Sequence, residues 1–143
     1  MTATVTATLP ASPSTTANLI RMSESVLALR GAITLERDER EHLLVRVQQL
    51  LSEMLDRNGI EHDDLISILF TATPDVHSAF PAAAARSMGL GDVPLICAQE
   101  LDVEGAMPLC VRVMIHLRTE RRREDLRHVY LERARSLRDD LPE

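Results

Sequence analysis

The sequence predicts an α+β domain with α/β-like order: a mixed β-sheet packed against one long helix and one or two short ones. Three observations predict it. Apolar runs of strand length recur at 26–35, 65–72, 94–100 and 109–118. A long stretch of helical periodicity and a short alanine-rich one separate the first three. The last two runs follow each other without a helix, and that order suits a mixed sheet with helices to one side.

Taken in order, residues 1–22 are dominated by Thr, Ala, Ser and Pro. They can bury too little apolar surface to offset chain entropy, so a disordered N-terminal tail is expected, with the folded domain at 23–143. Met22 is a candidate natural start within this reading. The run 26–35 (VLALRGAITL) predicts a strand, with Gly31 marking a bulge or a close approach. Asp38 and Glu41 form a capping-box pattern. Leu43, Leu44, Val47, Leu50, Leu51, Met54 and Leu55 then fall on one helical face, and Asn58-Gly59 supplies the stop. The run 65–72 (LISILFTA) is nearly continuous in apolar residues, the pattern of a strand buried on both faces. Phe80-Pro81 opens a short helix that ends at Gly89. Strands near 94–100 and 109–118 follow, and propensity alone makes the charged end of the chain one long helix.

Composition narrows the function classes. The 45% hydrophobic and 27% charged content places the chain among globular proteins rather than disordered or membrane chains. Three aromatic residues, Phe70, Phe80 and Tyr130, are too few for a base-stacking surface, and a net charge of −6 argues against nucleic acid as a partner. No apolar run has the length of a membrane span, so no membrane partner is expected. Cys97 and Cys110 make neither a metal-ligand spacing nor a disulfide framework, and they read as reduced thiols of a cytoplasmic protein. The five histidines show no metal spacing either, so no metal is expected.

What remains is a set of lone charges. Arg30 and Arg112 both sit inside apolar strand segments, where an arginine is uncommon unless paired or bound to something. Two such side chains on neighbouring strands can converge on one anion, or both can point to water from the polar face of a half-exposed sheet. Glu100 ends the first strand of the 94–117 stretch and can serve as ligand contact, acid/base or ion-pair partner. Cys97 reads as an inert buried thiol, since no histidine lies near it in sequence. Tyr130 reads as a half-buried packing residue, and Arg86 as a solvent-facing helix arginine.

Four segments, RGAITLERD (30–38), TATPDVHSAFPA (71–82), CAQELDVEGAMPLCVRV (97–113) and RHVYLERARSLRDDL (127–141), together resemble the monofunctional chorismate mutases of the trimeric pseudo-α/β-barrel type. The resemblance implies a Claisen rearrangement of chorismate to prephenate, without cofactor or metal, in a homotrimer with sites between subunits. It implies that Arg112 faces the ether oxygen and side-chain carboxylate, that Arg30 clamps a carboxylate, and that Tyr130 hydrogen-bonds the same carboxylate. Glu100, with Cys97, would contact the ring hydroxyl. Phe80, Arg86 and Leu137 would line or cover the pocket from the neighbouring subunit. The resemblance also implies a fifth strand at 127–131, a helical turn near 132–137 and a mobile end, in place of the long helix. Ala83 stands where relatives often carry lysine, and Asp139 where they often carry proline. The competing reading is a trimeric carboxylate-binding or imine-deaminating protein of similar shape. A third is a regulatory module that binds a pathway metabolite without turning it over.

Overall fold

The computed structural model describes residues 23–138. The expected tail at 1–22, the candidate start at Met22, the mobile end and Asp139 lie outside them. Five strands form one mixed sheet: β1 (Ser25–Thr34), β2 (Leu65–Ala72), β3 (Leu95–Gln99), β4 (Cys110–Thr119) and β5 (Val129–Leu131), in the order β3-β2-β4-β1-β5. β4 runs antiparallel to both β1 and β2, whereas β2–β3 and β1–β5 are parallel pairs. Helix α1 (Arg40–Asn58) and the short helix α2 (Ala82–Ser87) complete the α+β order.

The alternation of side chains along the strands decides which face is the core. Leu29 and Ile33 of β1, Ile68 and Phe70 of β2, and Val111, Val113 and Ile115 of β4 are buried against the helices. From α1 they meet Leu43, Val47, Leu50, Leu51 and Met54, the face that the periodicity predicted, while Leu44 and Leu55 flank it partly buried. Gly31 is a close approach and not a bulge, since the β1–β4 register runs through it unbroken. A Cβ there would lie 2.5 Å from Met54 Sδ and 3.1 Å from the Val129 carbonyl oxygen. Gly59 ends α1 at a φ of 58°, the left-handed conformation that glycine adopts without a Cβ penalty.

Two local expectations are corrected. Asp38 does not cap α1: the helix begins after Glu39, and no side chain caps it. The Asp38 carboxylate instead accepts hydrogen bonds from the backbone N–H groups of His77 (2.8 Å) and Ser78 (3.1 Å). Those two donors lie in a tight loop, and a tertiary acceptor satisfies both at once where a helix cap would satisfy one. Nor is β2 buried on both faces, because Ile68 and Phe70 are buried while Leu69 and Thr71 are only half-buried. Within one chain the helices cover a single side of the sheet.

The charged end of the chain follows the resemblance rather than bare propensity. β5 is followed by a 3₁₀ segment, Glu132–Arg138. Glu132 adopts a φ of 57° and its carboxylate pairs with Arg46, which also reaches Glu36 at 3.1 Å. The Arg133 N–H donates to Thr34 Oγ1 at 3.1 Å, which ties the segment to the end of β1.

Candidate active site

The uncovered face of the sheet carries the lone charges. Register places Ala98, Thr71, Arg112, Ala32 and Tyr130 in one line across β3, β2, β4, β1 and β5. Arg112 is central, and small or polar neighbours leave room around it. Arg30 stands two residues from Ala32 on β1, opposite Met114. Glu100 follows directly on β3, its N–H held by the Ala72 carbonyl at 2.9 Å. Arg30, Thr71, Glu100, Arg112, Met114 and Tyr130 are among the residues lining a cavity of about 300 Å³ on this face. Residues a hundred positions apart thus line one cavity.

The ion pair left open by the sequence is also present. Arg112 Nε lies 3.6 Å from Glu100 Oε2, an oxygen that also accepts a hydrogen bond from Thr71 Oγ1. Glu100 Oε1 has no partner among the described residues, and the Arg30 guanidinium makes no ion pair among them. The Arg112 side chain is 49% exposed, so its charge is solvated in one chain while its fork faces the cavity. Burial pushes the neighbouring Cys110 thiol up, against the pull of Arg112, which leaves it protonated and inert.

A second cavity, of about 490 Å³, lies beside the edge strand β3 and holds other expected site residues. Phe80, 72% exposed, and half-buried Cys97 line it, with Arg40, His77 and Gln99. The resemblance groups Cys97 with Glu100, but the structure puts them on opposite faces. Cys97 is paired with Phe70 on the helix side, whereas Glu100 bonds Thr71 on the uncovered side. Leu137 packs with Tyr130 against the buried cluster Ala32, Cys110 and Ala134, so within one chain it lies on the Tyr130 side of the sheet without lining the cation cavity. Arg86 is exposed on α2 and lines neither cavity. Ala83 is half-buried on the same helix.

Sequence reading missed Thr71, Arg40 and His77. Thr71 is one polar residue in an apolar strand, and only the cross-strand register reveals that it faces Arg112. Among the described residues, no group of three or more His, Cys, Asp or Glu side chains is placed to hold a metal ion. No helix among them is long and apolar enough to cross a membrane.

Residues 26–141 match the family model described as chorismate mutase type I. The chain belongs to that family. It is 42% identical over 117 residues to the chorismate mutase AroH of Bacillus subtilis (strain 168), covering 81% of this chain and 92% of that one. It is 44% identical over 117 residues to the chorismate mutase AroH of Thermus thermophilus, covering 81% and 96%. A solved chorismate mutase from Clostridium thermocellum superposes with a TM-score of 0.76 at 44% identity, over 77% of this chain and 98% of that one. All four segments that carried the resemblance start within the matched region. The five-stranded mixed sheet with few helices is the architecture shared with the solved relative.

Proposed function

We infer that the protein is a chorismate mutase, an isomerase that converts chorismate to prephenate, the step toward the aromatic amino acids. The observation that carries this reading is the convergence of Arg30, Arg112, Glu100 and Tyr130 on one cavity of a chain belonging to this family. The rearrangement is intramolecular, so the protein's task is to hold a flexible dianion in its compact form and to stabilise charge growing on the ether oxygen.

Each group suits a part of that task. The Arg112 fork meets the ether oxygen and the side-chain carboxylate, and Arg30 clamps that carboxylate. The Tyr130 hydroxyl adds a neutral donor to it. Glu100 Oε1, without a partner among the described residues, accepts the ring hydroxyl. Phe80, Cys97 and Arg86 lie off the cation cavity of their own chain, so they would serve the site of a neighbouring subunit. We propose a homotrimer with three inter-subunit sites, working in the cytosol; the division of the expected site residues between two cavities supports the inter-subunit part of that reading. Leu137 would close over the Tyr130 side.

The test is direct: purified protein at micromolar concentration should remove chorismate absorbance far faster than buffer, with prephenate as product. A rate equal to buffer would return the chain to the binding or sensing readings.

A further inference from the structure

We propose that His128 is a positioning residue for Arg30, fixing the backbone from which the guanidinium reaches the cavity; this rests on the role proposed above for Arg30. No side-chain hydrogen bond or ion pair among the described residues aims Arg30. Its guanidinium makes no ion pair among the described residues, so its direction is inherited from its own Cα. The β1–β5 ladder begins only at Gly31 and Val129. One position earlier the N–H of Arg30 has no strand to bond. His128 Nδ1 accepts it at 2.9 Å, a bond spanning 98 residues of sequence. The ring nitrogen is the acceptor there and carries no proton.

The imidazole is itself held. On the residue before it, the Arg127 N–H donates to Asn58 Oδ1 at 2.7 Å and the Arg127 carbonyl accepts from Asn58 Nδ2 at 2.9 Å. Asn58 is 2% exposed, and its amide also donates to the Met54 carbonyl at 2.8 Å. Met54 in turn fills the space against Gly31. The last turn of α1 thus grips residue 127, residue 128 grips Arg30, and the clamp sits two residues from Tyr130. The sequence offered Asn58 only as a helix stop and His128 only as one of five histidines without metal spacing.

Asparagine at 128 can place its amide oxygen where Nδ1 lies, and leucine cannot accept a hydrogen bond. His128→Leu should raise KM about tenfold with kcat within about threefold, since a carboxylate clamp serves ground and transition states alike. His128→Asn should keep both within about threefold of the parent. Amide hydrogen exchange by NMR reads the clamp without any substrate. The Arg30 N–H should be protected in the parent and in His128→Asn, and should exchange quickly in His128→Leu. If His128→Leu does not fold, His128→Gln, polar but with its acceptor displaced, takes its place with the same expectation. The proposal is overturned if the Asn variant is as impaired as the Leu or Gln variant, or if KM and Arg30 exchange are unmoved in the latter. A parent protein that leaves chorismate untouched while Arg30 exchange follows this pattern would instead count against the functional reading.

Discussion

Arg112 has Thr71 on one side and Ala32 on the other, so its guanidinium can swing between Glu100 and a ligand without meeting bulk. That placement predicts a kinetic signature. Arg112→Ala should lower kcat by on the order of 10²–10³, the loss expected for a main transition-state donor. Arg112→Lys should not restore it, because a point charge replaces a two-pronged fork. A folded Arg112→Ala protein with near-normal turnover in steady-state kinetics would sink the assigned role. Cys97→Ser should keep most of the activity, because a hydroxyl of similar size replaces the thiol at the edge of its cavity and the rearrangement needs no covalent step. Complete inactivation of that variant, with its circular dichroism unchanged, would speak for thiol chemistry. At this scale Arg30, Glu100 and Arg112 were legible, because a charge interrupting an apolar run is conspicuous in a list of residues. Thr71, Asn58 and His128 were not. Their types are ordinary where they stand, and they gain meaning only through a register or a bond to residues far away in sequence.

The loop that presents Phe80 is held by an acid from another element. Burial pushes the Asp38 carboxyl up, but other influences outweigh it and hold it below its ordinary value. They are the Ser78 hydroxyl, near it though outside normal hydrogen-bond geometry, the N–H groups of His77 and Ser78, and the His77 charge. A group with a depressed folded pKa stabilises the fold above its unfolded pKa and loses that contribution as pH falls through the folded value. Asp38→Ala should therefore cost roughly 1–2 kcal/mol near neutrality, leaving two backbone donors to find water. Denaturant titrations of parent and variant should show a gap that is full above about pH 4 and shrinks below it. A gap that stayed constant down to pH 2.5, or widened on acidification, would show that the carboxylate charge is not what holds the loop. The same residue shows what limits an element-level reading. Asp-x-x-Glu before an apolar run is a sound local cap signal, and it pointed to the right helix. It could not reveal that two N–H groups nearly forty residues away compete for the same carboxylate and win it. β5 was hidden for a different reason: three residues are too short to show a period, and only the family resemblance exposed the strand.

For the molecule as a whole, the decisive feature is that the expected site residues divide between two sides of one sheet. Arg30, Glu100, Arg112 and Tyr130 share the uncovered face, whereas Phe80 and Cys97 border the cavity beside β3. One small dianion cannot touch both sets within a single chain. A second copy laid against the uncovered face can bring its β3 edge, with Phe80, to the first copy's arginines. That contact would also cover the half-buried Leu69 and Met114 and the 64% exposed Ile96, which a lone chain leaves to water. Sequence periodicity read β2 as buried on both faces, which is what this assembly would make of it. Complementation tests the arrangement. Arg112→Ala removes the cation of one half-site, and Phe80→Asp sets a carboxylate against the dianion in the other, so each protein alone should be nearly inactive. Unfolded together in equal amounts and refolded, they should form mixed trimers in which about a quarter of the sites draw both halves from unaltered surfaces, if closed cyclic symmetry joins the copies. Activity should return to that fraction of the parent, and sedimentation should report three chains per particle. A refolded mixture as inactive as its components, with trimers intact, would place all of the chemistry within one chain.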